Sequence, residues 1–293
     1  MKKYILFVLI SYFTSSVYGQ VRYDLMGVLE LDSVNLISYQ LQLEVYEDGT
    51  IEGYSVSDIL GYDETKSKIV GTLNPENQTL LIKETEMIYT KSGFNEDIFC
   101  NLEYALKIKD LKSSISTRFW SKYPDGSSCI EGNLNLRNAH KVQKKLDQLM
   151  AIMERKTEKG KISQEEFTEI KKVLPPAKIK PIIIGSNEQL NVPWKKSTAN
   201  LTIWDAANED GDKISVYLND EVLISQTIKN EKTIIPISFN TGKNQIRIVA
   251  LNEGDVARNT VSFELNYKMK NIRINSELKT NESSLINIYC RPE

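Results

Sequence analysis

A period of two, repeated in short runs along most of the chain, constrains its fold more than any other feature. In "ISYQLQLEVYE", Ile37, Tyr39, Leu41, Leu43 and Val45 alternate with Ser38, Gln40, Gln42 and Glu44. Successive side chains of a strand point to opposite faces, so this run makes a strand with one buried and one wet face. Asp48-Gly49 follows, a pair suited to a two-residue hairpin. Similar runs fall at 22–31, 51–59, 66–73, 79–90, 97–109, 114–121 and 128–136, separated by the turn-rich "GYDET", "NPEN", "KSGFNE", "KDLKSS" and "PDGSS". Eight consecutive antiparallel strands with short turns close most simply into an up-and-down barrel, which leaves no exposed sheet edge.

The strand count and spacing over 20–137 resemble the lipocalin and avidin class of small barrels. The G-x-W start of lipocalins is absent, and "YDLMGV" stands there instead, so no ligand residue is carried over from that class. A barrel of this size either holds one small ligand or is filled by its own side chains. Tyr39, Tyr54, Tyr104, Phe119 and Trp120 are the candidate pocket lining, with ordinary core and surface aromatics as the alternative reading.

Residues 138–180 change character. "NAHKVQKKLDQLMAIMERK" places Val142, Leu146, Leu149, Met150 and Met153 at helical spacing, with Asn138 able to cap the start. "SQEEFTEIKKVL" predicts a second helix, in which Ser163 and Glu166 form a capping-box pattern. "LPPAKIKP" ends this connector, because proline cannot continue a helix. Lys and Arg outnumber Asp and Glu here, which reads as a solvated helix face.

From 181 to 293 strands return. "NLTIWDA", "KISVYLN", "EVLISQTI", "KTIIPISF", "NQIRIVALN", "NTVSFELNY", "NIRINSEL" and "SLINIYC" are short, alternating and evenly spaced, the pattern of a β-sandwich. The expected fold is therefore mainly β: an N-terminal eight-stranded antiparallel barrel, a short helical connector and a C-terminal β-sandwich.

Within that last region, "LTIWDAANEDGDKISVYLNDEVL" and "GKNQIRIVALNEGDVARNTVSFEL" resemble a C-terminal β-sandwich that recurs in exported Bacteroidetes proteins. The matching positions are Trp204, Asp205, Asp210, Gly211, Asp212, Asn219, Ala250, Asn252, Gly254, Asn259 and Thr260. The closing "INSELKTNESSLINIYCR" is similar to that group's ending. The resemblance implies a structural or binding module and no particular activity.

"WDAANEDGD" concentrates negative charge in one loop. Asp205, Asn208, Glu209, Asp210 and Asp212 offer oxygen ligands of the kind calcium takes, six to eight at a time. Gly211 permits a sharp turn. The EF-hand spacing is not met, since Ala206 falls where the first ligand belongs. A site here needs further ligands, such as Asn252 or Asp255. The competing reading is an acidic turn whose Asp and Asn side chains bond their own backbone. Apart from this possible calcium, no cofactor is implied. "KTEKGKISQEEF" mimics the back half of an EF-hand loop, but Arg155, Thr157 and Lys159 stand where oxygen ligands belong. It reads as a helix–turn–helix.

The N-terminus, "MKKYILFVLISYFTSSVYGQ", has a basic start, a short apolar core and small residues before Gln20. It reads as a signal peptide over 1–19, too short in its apolar part to span a bilayer, which takes roughly 20 residues. The protein is expected in the periplasm, at the cell surface or outside the cell. An oxidising compartment permits a Cys100–Cys129 disulfide and leaves Cys290 over. The formal net charge of −2 argues against nucleic acid as a partner. No later segment is apolar enough to span a membrane.

His140 is the single histidine, and no H-E-x-x-H, paired C-x-x-C, G-x-S-x-G or phosphate loop is present. Glu84 and Glu86 fall on one face of a predicted strand, which leaves carboxylate-dependent glycan hydrolysis open, against an outward polar face. The leading expectation is an exported, non-catalytic binding or envelope-associated scaffold protein, contacting protein or glycan. The alternatives are a carrier of a small apolar ligand in the barrel and a glycan hydrolase.

Overall fold

A computed structural model of the chain describes residues 20–32, 34–93, 99–111, 113–173, 182–206, 209–254, 259–267 and 270–292. The expected signal peptide and the proline-rich end of the connector lie outside the described residues, as do Asn208 and Asp255.

The alternating runs become strands β1 (Val21–Glu30), β2 (Leu36–Val45), β3 (Thr50–Ser57), β4 (Thr65–Asn74), β5 (Thr79–Thr90), β6 (Asn101–Lys107), β7 (Ser114–Lys122) and β8 (Ser128–Asn138). Each pairs antiparallel with the next, and β1 pairs with β8, so the eight strands close into a barrel. Closure gives every strand two neighbours, which satisfies the backbone groups an open edge would expose. Gly49, at φ +83°, supplies the left-handed turn residue between β2 and β3. Inward residues such as Leu25, Leu41, Leu43, Ile51, Ile69, Leu80, Leu106 and Leu134 are fully or almost fully buried in one apolar core. Each contributes roughly 1.5–3 kcal/mol by leaving water. Cys100 and Cys129 are disulfide-bonded, with Cα atoms 6.0 Å apart.

Helix α1 (Ala139–Glu158) starts at an Asn138 cap, whose Oδ1 accepts from the Lys141 amide at 3.3 Å, and lies against β1 and β8. Gly160, at φ +66°, turns the chain, and the Ser163 hydroxyl caps α2 (Gln164–Val173) by accepting from the Glu166 amide at 3.0 Å. The EF-hand mimic is thus a capped helix–turn–helix.

Ten strands follow: β9 (Ile182–Ile184), β10 (Gln189–Trp194), β11 (Thr198–Trp204), β12 (Lys213–Leu218), β13 (Glu221–Thr227), β14 (Thr233–Ser238), β15 (Gly242–Ala250), β16 (Asn259–Tyr267), β17 (Lys270–Leu278) and β18 (Ser283–Cys290). They form two facing sheets, ordered β13-β12-β15-β18-β10 and β14-β11-β16-β17-β9. One apolar core fills the space between, with Leu190, Val192, Leu201, Ile214, Val216, Ile246, Phe263 and Ile288 at 0% exposure.

Strands β9 and β10 escape the sequence reading. Pro193 argues against a strand interior, because proline donates no ladder bond. It is tolerated because β10 pairs parallel with β18 on one side, while its ladder to β5 reaches only Asn191, opposite Thr90. That single pairing makes the first sandwich sheet continuous with the barrel wall, thirteen strands in all.

The strand that carries this continuity is β5. Its first half closes the barrel against β6, and its last residue meets β10. Two register shifts against β4, leaving Thr85 and Ile88 as extra residues, bend it between the two tasks. Leu80 and Ile82 belong to the barrel core, whereas Tyr89 belongs to the sandwich core. Polar side chains seal the junction. Thr65 and Thr90 hydroxyls lie 2.7 Å apart, the Asn191 amide donates to the Ser92 carbonyl at 2.7 Å, and the Asn287 amide donates to Asn191 Oδ1 at 2.8 Å.

Candidate functional site

Three places in this architecture have the makings of a site: the barrel interior, the acidic loop, and the cleft along the seam.

The barrel interior does not gather the expected aromatic lining. Tyr39, Tyr104 and Phe119 point inward and are almost wholly buried, but Tyr54 and Trp120 are 41% and 45% exposed on the outer face. Register decides this: Phe119 pairs with Tyr104 across β6 and β7, so Trp120, one residue on, must face out. The expected common lining by all five is therefore corrected. The three inward rings are packing, with Tyr39 and Tyr104 edge to face at 6.4 Å between centroids.

Those tyrosines surround a buried acid. Glu84 is 2% exposed, and its Oε1 accepts from the Ser55 hydroxyl at 2.5 Å and the Tyr39 hydroxyl at 2.9 Å. Its Oε2 accepts from the Leu102 amide at 3.1 Å, and the Tyr104 oxygen lies 3.2 Å from that of Tyr39. Burial pushes the Glu84 carboxyl above the usual glutamate range, opposed by these three hydrogen bonds. Glu86 does not share its face. The extra residue Thr85 reverses the alternation, so that Glu84 pairs with inward Ile69 and Glu86 with outward Lys68. Glu103 also faces away from the interior, held by Lys83 at 3.2 Å and by the Trp120 indole at 2.9 Å. Glu84 is buried on the inner face while Glu86 and Glu103 lie on the outer face, so the expected placement of Glu84 and Glu86 on one face is not met, although all three acids border the cleft along the seam.

The acidic loop joins β11, in one sheet of the sandwich, to β12 in the other. Asp205, Asp210 and Asp212 converge there, each offering a carboxylate oxygen within 4.8 Å of the others. Asp205 and Asp212 are 1% and 0% exposed. Asp212 Oδ2 accepts from the Thr260 amide at 2.7 Å, whereas its Oδ1 is buried with no hydrogen-bond partner. Burial raises the Asp212 carboxyl to about 6; the Thr260 bond opposes this and the charges of Asp210 and Asp205 add to it. Glu209 is not brought in: it is exposed, and its Oε1 accepts from the Asn230 amide at 2.7 Å. Asn252 serves the backbone, accepting from the Lys213 amide at 2.6 Å and donating to the Gly211 carbonyl at 2.9 Å.

Two residues beside this cluster were missed as site residues. Gly254, in the β15–β16 loop, has φ +62°, and a Cβ there would lie 2.6 Å from Asp210 Oδ1 and 2.8 Å from Asp212 Oδ1. Asn259, 0% exposed, donates through Nδ2 to the carbonyls of Lys213 (3.0 Å) and Asn252 (3.2 Å), which leaves Oδ1 buried with no partner. Both belong to the segment "GKNQIRIVALNEGDVARNTVSFEL" that carried the resemblance. The linear reading looks to this segment for further ligands, at Asn252 or Asp255, but does not single out Gly254 or Asn259 as site residues.

The third place is an open cleft of about 940 Å³ where barrel meets sandwich. Lys68, Lys122 and Tyr123 line it from the barrel, and Lys195, Tyr289 and Arg291 from the sandwich. With Lys83 it carries five cationic side chains, and its acids are Glu86, Glu103 and the almost fully buried Glu84.

Among the described residues, no helix is long and apolar enough to cross a membrane. No protein-family model, curated protein or solved structure gives a significant match to this chain.

Proposed function

We propose that this is an exported, non-catalytic binding protein that holds a carboxylated glycan along the barrel–sandwich seam. The cationic, tyrosine-bearing cleft carries the reading. Ligand pockets favour junctions between structural units. Lysine and arginine side chains complement carboxylates, and tyrosine rings offer an apolar face with a polar edge. The continuous sheet and the buried polar seam hold the two walls in one geometry, which limits the ordering that binding must impose. The same rigidity suits a role as an envelope scaffold. The filled barrel core gives the apolar-carrier alternative less support than the cleft gives this one.

Calorimetry of the full chain against oligosaccharides with and without uronic acids tests the reading. Acidic oligosaccharides should bind, more weakly as salt rises, and Lys68→Glu with Lys122→Glu should weaken binding by about tenfold or more. Equal binding of neutral and acidic glycans, or indifference to the double charge reversal, would count against it.

A further inference from the structure

We propose that Asp205, Asp210 and Asp212, with Asn259 beside them, form a calcium site that fastens the two sheets of the sandwich together. An acidic cluster alone does not make a site, because an exposed turn can carry three acids in water. This one differs in what is buried. Asp212 is wholly inaccessible, yet only one of its two oxygens is bonded. A buried carboxylate oxygen with no donor is expensive, and a bound cation is the common way such a group is satisfied. Asn259 repeats the observation independently. Its Nδ2 is fixed by two backbone carbonyls, so the amide orientation is determined and Oδ1 is the atom left over.

The backbone beside the cluster comes close to it. Gly254 approaches so closely that any side chain would press on Asp210 Oδ1 and Asp212 Oδ1. Glycine there is what allows the backbone to come this close to the two carboxylates. Two oxygens on one calcium stand at most about 5 Å apart, given bonds of 2.3–2.6 Å, and the three carboxylates each offer an oxygen within 4.8 Å of the others. The donors are all oxygen, which selects a hard cation, and three negative charges favour a divalent one. Octahedral magnesium, with bonds near 2.1 Å, requires a tighter cage.

The elements involved explain what the ion would do. Asp205 directly follows β11 in one sheet, Asp212 precedes β12 in the other, Gly254 lies on the return crossing from β15 to β16, and Asn259 begins β16. A bound cation ties two chain crossings between the sheets at one end of the sandwich.

The test is titration of the full, chelator-stripped chain with calcium in a calorimeter. Terbium excited through tryptophan serves as a second probe, since Trp204 directly precedes Asp205. One calcium per chain should bind. At about a hundredfold excess over Kd, Tm should rise by roughly 5–10 °C, and magnesium should give a smaller shift. Asp210→Asn, at a half-buried position, should fold and bind about tenfold more weakly or worse. Asp212→Asn, which keeps an acceptor for Thr260, should do the same. Three results would overturn the proposal: no heat, no terbium emission and an unchanged Tm in the wild type; undiminished calcium affinity in both variants; or magnesium binding equal to calcium.

Discussion

Glu84 in the barrel and Asp212 in the sandwich are both acids removed from water, and both carboxyls are pushed above their usual range by burial. Their neighbours differ. Around Glu84, two hydroxyls and a backbone amide supply three donors, and neither oxygen is left over. Around Asp212 one amide supplies one oxygen, and the other faces further carboxylates. Burial and a raised pKa therefore do not by themselves mark a site. What distinguishes the two is the balance of donors: Glu84 is a fully bonded element of a packed core, and Asp212 has a place for something else.

The strongest way to break this comparison is to remove the side chains. Glu84→Ala leaves the Tyr39 and Ser55 hydroxyls and the Leu102 amide without an acceptor, and should destabilise the protein by roughly 3–5 kcal/mol in urea unfolding. A loss under about 1 kcal/mol would mean that the Glu84 network is not what fixes the barrel core.

Isosteric amides sharpen the contrast through its sign. Glu84→Gln turns an amide hydrogen toward a donor and should lose about 1–2 kcal/mol. Asp212→Asn, in calcium-free protein at neutral pH, relieves repulsion from Asp205 and Asp210 while keeping the Thr260 acceptor, and should gain about 1 kcal/mol. Changes of the same sign in paired denaturation curves would erase the distinction.

The smallest expected effect is on pH dependence. Because the native Glu84 value lies above the ordinary 4.5, the folded barrel holds a proton that the unfolded chain has released. The resulting stability is fully present below 4.5 and declines as pH rises through the native value. Glu84→Gln should flatten that decline, as followed by urea midpoints across the acidic range.

Much of the architecture was legible in the chain. Period-two runs and turn residues mark the eight barrel strands to within a few residues, and Asn138 and Ser163 mark both helix starts, because these signals act between near neighbours. The faces of β5 were not legible. A strict alternation puts Glu84 and Glu86 together, and only pairing against β4 reveals the extra residue Thr85 that separates them. The acidic loop was half legible. Asp205, Asp210 and Asp212 announce themselves by composition, whereas Gly254 and Asn259 reach them only through the fold, and Glu209 turns to the Asn230 amide instead.

The double allegiance of β5 has a consequence for how the chain comes together in time. Its first half finds β6 within a short loop, but the partner of Thr90 is Asn191, about a hundred residues further on. At synthesis rates of about 5–20 residues per second, that partner follows roughly 5–20 s later. During the interval the far end of β5 is an unmet edge bearing Tyr89, whose apolar destination does not yet exist. The barrel can close early, but the end of its fifth strand must wait for the last third of the chain. Fragments cut in the helical connector keep that edge open permanently, so barrel pieces made this way should self-associate more strongly than the whole chain.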